Sequence, residues 1–186
     1  MKQFLFLYPI PEIINFEIEN KCWPESVNSF NSKYKNALNQ CIDLRYRQNG
    51  FAINFALFDN HEISDAIELQ GSDSIIKVGL SFKEHTKNHI YPDENFIISQ
   101  LGEINRLVIA GFHMWDCVER LAKGAHEMGL NTLVDEDLTE FLTGRLNDPG
   151  FRFDRYPTFD PRKLPVDVFG DFMDARKDRP WLWQEY

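Results

Sequence analysis

The sequence predicts an α/β fold: an open, mostly parallel sheet of five or six strands with helices on both faces. Three observations predict it. Short apolar runs of strand length recur at QFLFLY (3–8), FAINFALF (51–58), SIIKVGLSF (74–82), RLVIAGF (106–112) and NTLVDE (131–136). Segments with helical spacing separate several of them, the alternation that builds parallel sheets. The early runs are apolar without a polar face, as strands buried on both sides must be. With 186 residues, 43% hydrophobic and 14% aromatic, the chain can bury a sizeable core.

Taken in order, the first run is ended by Pro9 and Pro11, and a polar loop is expected beyond them. Pro24, Glu25 and Ser26 open a helix reaching residue 49, with Phe30, Tyr34, Leu38, Cys41 and Leu44 along one face. Gly50 suits the position just past its end. Asn60 to Gly71 is a connection, and residues 83–91 read as polar and irregular. Pro92 fits the first turn of a helix over 93–104. A further helix is expected over 114–129, between the fourth and fifth strands. The expected strand order is 3-2-1-4-5.

Residues 1–142 form the α/β domain in this reading, and 143–186 form an appendage. That tail holds Pro149, Pro157, Pro161, Pro165 and Pro180 among acidic, basic and aromatic residues. A short helix is expected in VDVFGDFMDAR (166–176). The final WLWQEY is too aromatic to stay in water, so it is expected to pack on the domain or on a second subunit.

Twenty basic against 29 acidic residues give a net charge of −9. Such a surface repels phosphate backbones and anionic lipid, so neither nucleic acid nor membrane is expected as a partner. No apolar run approaches the ~18 residues of a membrane-spanning helix. The N-terminus lacks a small-residue cleavage site and reads as a first strand, not a signal peptide. Three widely spaced cysteines, Cys22, Cys41 and Cys117, suggest reduced thiols in a cytoplasmic protein.

The chemistry gathers around RLVIAGFHMWDCVERL. Open parallel sheets bind ligands at the carboxyl ends of their strands. Cys117 falls just past such an end, in the first turn of a helix. Free amides and the helix dipole there are expected to lower its pKa and prepare a nucleophile. The alternative is a small buried hydrophobe, as free cysteines often are. His113 is a candidate base or orienting group for the thiol. Asp116 suits a capping role in the helix's first turn. His113, Met114 and Trp115 put three bulky side chains into the turn, which narrows any pocket there.

This block resembles the isochorismatase-like cysteine hydrolases, a superfamily that includes nicotinamidases and other amidases. Their strand is followed by Gly, two residues, Thr, two residues and Cys-Val. Here Gly111, Met114, Cys117 and Val118 keep that spacing, with Met114 in place of Thr. Ala122, Ala125, Gly129 and a strand ending at Asp135 follow. The resemblance implies a three-layer sandwich and a catalytic Cys117. It assigns Lys77, after the third strand, to steady thiolate or substrate, and backbone N–H groups of the turn to the oxyanion. It places Tyr8 where the superfamily has its basic Asp; Glu12 is a substitute to consider. Tyr8, Met114 and Trp115 would line the substrate pocket. No cofactor is certain, but nicotinamidases carry Asp-x-His after the second strand. Asp59 and His61 match it, with His85 and His89 downstream, and could hold zinc or iron. The alternative is a capped loop with a surface histidine.

The resemblance thus implies a divergent hydrolase of small amides or esters, acting through Cys117 as a homodimer or larger homo-oligomer. The missing Asp leaves a second expectation: a catalytically inactive member of the fold that binds or assembles.

Overall fold

Strand β1 (Lys2–Leu7) runs through the middle of a five-stranded sheet, and the computed structural model describes residues 1–22, 26–158 and 174–184. Its neighbours are β2 (Phe51–Leu57) and β4 (Arg106–Gly111), both parallel to it. The outer strands are β3 (Ser74–Lys77), beside β2, and β5 (Thr132–Val134), beside β4. All pairings are parallel and the order is β3-β2-β1-β4-β5, the expected one. Phe4 to Leu7 and Leu107 to Ala110 are all buried, because helices cover both faces of the central strands.

One helical layer contains α1 (Pro11–Lys21), α2 (Val27–Cys41) and α6 (Leu142–Arg145), which pack on one another. The other pairs α4 (Glu94–Ser99) with α5 (Glu119–Glu127). Helix α3 (Phe82–Asn88) follows β3. Ser26 caps α2 by accepting from the Ser29 amide. Beyond Cys41 the helix widens into a π turn (Ile42–Tyr46), tightens into a 3-10 turn (Arg47–Asn49), and stops at Gly50 with φ 74°. Gly50 therefore has its expected role.

Two helices depart from expectation. The polar loop after Pro11 is α1, because Pro11 starts that helix instead of only ending the strand before it. Ile13, Ile14 and Ile18 face the core. The irregular stretch 83–91 holds most of α3, opened by a reciprocal cap: Ser81 Oγ accepts from the Glu84 amide while Glu84 accepts from the Ser81 amide. The helix expected from Pro92 begins at Glu94 and ends early, at Ser99.

Three carboxylates at the exit of β5 bind the molecule's far ends together. Arg45 grips Asp135 with contacts of 3.0 and 2.8 Å and lies 3.2 Å from Asp137. Arg176 reaches Glu136, which also accepts from the Tyr156 hydroxyl at 2.7 Å. Trp181 and Leu182 are buried in the same chain, and the Trp181 carbonyl accepts from the Val134 amide at 2.8 Å. The helix expected over 166–176 lies almost wholly outside the described residues.

Candidate active site

Strand β4 delivers the thiol through a turn that only glycine permits. Gly111 has φ 107°, and a Cβ there would sit 2.2 Å from the Leu7 carbonyl oxygen of the neighbouring strand. The Phe112–His113 peptide that follows is cis. Met114 to Val118 form a π turn leading into α5, a geometry that gathers at functional sites. Cys117 lies in this turn, at the carboxyl edge of the sheet, 6% exposed.

An imidazole faces the sulfur, supplied by α3. His85 Nε2 lies 3.7 Å from Cys117 Sγ. The other ring nitrogen, Nδ1, is 2.8 Å from the Ile90 carbonyl oxygen. A carbonyl can only accept, so Nδ1 carries a proton, and in the neutral ring Nε2 presents its lone pair to the thiol. The ring stacks on Phe58 at 5.3 Å and meets the edge of Tyr91 at 5.2 Å. Thiol, imidazole and the carbonyl that orients the ring therefore lie in line.

Charged groups complete the surroundings. Asp116 Oδ2 is 3.9 Å from Sγ, and that carboxylate pushes the pKa of the Tyr91 hydroxyl above the usual tyrosine value. Arg120 pairs with Glu94 at 2.9 Å and lies 4.2 Å from the centre of the Tyr91 ring. Burial, then the Asp116 charge, push the Cys117 thiol up to about 12, while Arg120 and a backbone hydrogen bond from His113 oppose them. The expected low pKa at the helix start is not what the fold provides, because desolvation outweighs the dipole. Tyr8, Tyr91, Pro92, Glu94, Arg120 and the thiol line a cavity of about 10 Å³, room for one water.

The remaining expected residues divide between this site and other places. Tyr8 belongs to it: the ring is buried, stacks on Phe58 at 4.4 Å and lines the cavity. It stays protonated, since burial, then the Cys117 charge, hold its pKa well above the usual tyrosine value. It cannot replace a basic Asp. Its φ of 57° is costly for an aromatic residue, and such strain gathers at functional sites. Met114 turns into the core, and its amide is held by the Glu140 carboxylate at 3.1 and 2.9 Å. That amide is unavailable to an oxyanion. The Asp116 and Val118 amides are likewise taken, by the His113 carbonyl. Trp115 is 47% exposed beneath Arg179 and does not line the cavity, so the narrowing comes from Tyr8 and Tyr91. The His113 side chain is exposed; the imidazole at the thiol is that of His85.

Lys77 is exposed at the end of β3, and its ammonium donates to the His61 carbonyl; the cation acting on the thiol is Arg120. Asp59 accepts from the Gly79 amide at 2.7 Å, and His61 Nε2 is 3.3 Å from Glu12. Asp59 is thus engaged with Gly79, and His61 with Glu12, and neither belongs to a cluster of three ligand groups among the described residues. Among the described residues, the cluster with ligand atoms mutually within 4.8 Å is His85, Asp116 and Cys117. The sequence pattern placed His85 with Asp59 and His61 as a downstream metal ligand, and the fold puts it beside Cys117 instead. Its usable signal was the Ser81-x-x-Glu84 capping pattern just before it, which marks a helix start.

No protein-family model matches the chain, and no curated protein matches it. One similar solved structure is a provisionally named Mar1 ribonuclease from Leishmania major, with 12% sequence identity and a TM-score of 0.44. The match covers 94% of this chain and 74% of that one, and a likeness this distant says nothing about activity.

Proposed function

We propose that this chain is a thiol-dependent hydrolase of a small amide or ester, in which Cys117 is the nucleophile and His85 the base. The observation that carries the reading is the pairing of Cys117 Sγ with a neutral Nε2 whose tautomer is fixed by the Ile90 carbonyl. A thiol pushed up to about 12 is almost fully protonated at neutral pH. The proton must therefore leave during attack, to His85 Nε2, and not before it. As sulfur bonds to the carbonyl carbon, the new imidazolium is stabilised by the nearby Asp116 carboxylate. His85 then gives that proton to the departing amine or alkoxide, leaving a thioester on Cys117. Water, deprotonated by the same nitrogen, then attacks the thioester carbon; the C–S bond breaks, His85 returns the proton to the sulfur, and the acid is released. The His113 backbone N–H, which favours the thiolate form of Cys117, is the donor this reading assigns to the oxyanion.

The substrate in this reading is small, and Tyr91 and Arg120 must swing aside to admit it. The test is turnover of a panel of simple amides, esters and thioesters. Cys117→Ser is expected to abolish it, and His85→Gln to lower kcat/KM by about 10²–10⁴-fold. Activity persisting in Cys117→Ser overturns the reading.

A second reading has its own support: a fold without catalysis that binds or assembles. Tyr8 occupies the expected base position, and the cavity admits one water. It predicts no turnover of any panel member and wild-type behaviour of Cys117→Ser. The resemblance to isochorismatase-like hydrolases, the cytoplasmic setting and a homo-oligomeric state belong with these proposals.

A further inference from the structure

We infer that His85 Nε2, Asp116 Oδ2 and Cys117 Sγ form a binding site for a thiophilic divalent cation of the zinc type. The three donors come from α3 and the π turn, and their ligand atoms all lie within 4.8 Å of one another. The sulfur is 3.7 Å from the imidazole nitrogen and 3.9 Å from the carboxylate oxygen. Bond lengths of about 2.3 Å to sulfur and about 2.0–2.1 Å to nitrogen or oxygen put tetrahedral ligands about 3.3–3.6 Å apart. Each sulfur contact needs to contract by only a few tenths of an ångström, and the imidazole nitrogen and carboxylate oxygen, within 4.8 Å of each other, must also close on the ion.

The surroundings suit a ligand set. A metal-bound imidazole must present a neutral nitrogen, with its other N–H anchored, and the Ile90 carbonyl supplies that anchor at 2.8 Å. Cys117 also lines the cavity of about 10 Å³, which has room for one water, and an open zinc site takes water as its fourth ligand. One thiolate, one imidazole and one carboxylate select zinc, cobalt or similar ions over magnesium and calcium, which prefer oxygen. Binding exchanges the thiol proton, released to solvent, for a metal–sulfur bond.

This inference uses the atoms of the proposed hydrolase but does not rest on hydrolysis. A metal seated here would block the nucleophile, so zinc would inhibit turnover and a chelator would restore it. The test is titration of the full chain with Co²⁺, read by near-ultraviolet and visible absorption. One equivalent is expected to bind at sub-millimolar Co²⁺, with a thiolate-to-cobalt charge-transfer band. Cys117→Ser should remove that band. His85→Gln should weaken binding by at least about tenfold. Cys22→Ser and His61→Asn should leave both unchanged. No saturable binding overturns the inference, as does a band that survives Cys117→Ser. If Cys117→Ser does not fold, binding unaffected by His85→Gln and Asp116→Asn overturns it equally. Hydrolysis assayed with chelator present reports on the thiol alone, so the two readings fail separately.

Discussion

Exposure and local charge set the reactivity of each thiol more strongly than its place on a helix. Cys41 is fully buried and pushed up to about 12 by desolvation. Cys117 is pushed equally high by burial and Asp116, whereas Cys22 is half-buried at the end of α1. Iodoacetamide at neutral pH is therefore expected to label Cys22 fastest and Cys41 slowest in the native protein, with peptide mass spectrometry as the readout. Cys117 was legible from the Gly-to-Cys spacing and the strand end before it. Its raised pKa was not, because desolvation depends on what lies over the thiol: Tyr8 just past β1, Pro92 before α4 and Ile97 within it. His85 was hidden for a related reason. Nothing in a polar stretch 32 positions away marks it as the partner of Cys117.

At the level of elements, two short motifs aim the site. Gly111 lets β4 leave the sheet beside Leu7, where no side chain fits. Gly111→Ala is expected to cost about 3 kcal/mol or more in denaturant unfolding, from overpacking and an unfavourable positive φ. Ser81 fixes the start of α3, and the His85 amide bonds to its carbonyl at 3.1 Å. Ser81→Ala is expected to cost about 1 kcal/mol and to lower turnover through a loosened His85, with Ser81→Thr restoring both. The strand order was readable because unbroken apolar runs can only be central, parallel strands. Helices α1 and α3 were not, because a proline after a strand and a run of polar residues carry two meanings each. Pro11 both closes the first run and starts a helix.

Across the whole molecule, the carboxylates after β5 hold the π turn that follows α2 and the C-terminal segment to the sheet. Asp135 and Arg45 are 90 positions apart, and no local pattern announces such a pair. Asp137 is raised from 3.8 to about 7, by burial first and then by the Asp135 charge, against the pull of Arg45. The native protein thus keeps a proton that the unfolded chain releases near 3.8. Stability from this group is complete below that pH and is lost as the pH rises toward about 7. Asp137→Asn cannot ionise and still accepts from Thr158. The variant should lose less unfolding free energy than the native protein between about pH 4 and about pH 8, measured by urea titration. An equal loss in both proteins would remove Asp137 from the account.

The pairing of Cys117 with His85 is tested most directly without any substrate. The rate of iodoacetamide alkylation at Cys117, at neutral pH and with chelator present, is compared between the native protein and His85→Gln. If Nε2 takes the thiol proton, the variant should label Cys117 at least about tenfold more slowly, with Cys22 unchanged. Equal rates at Cys117 in the two proteins would contradict the pairing.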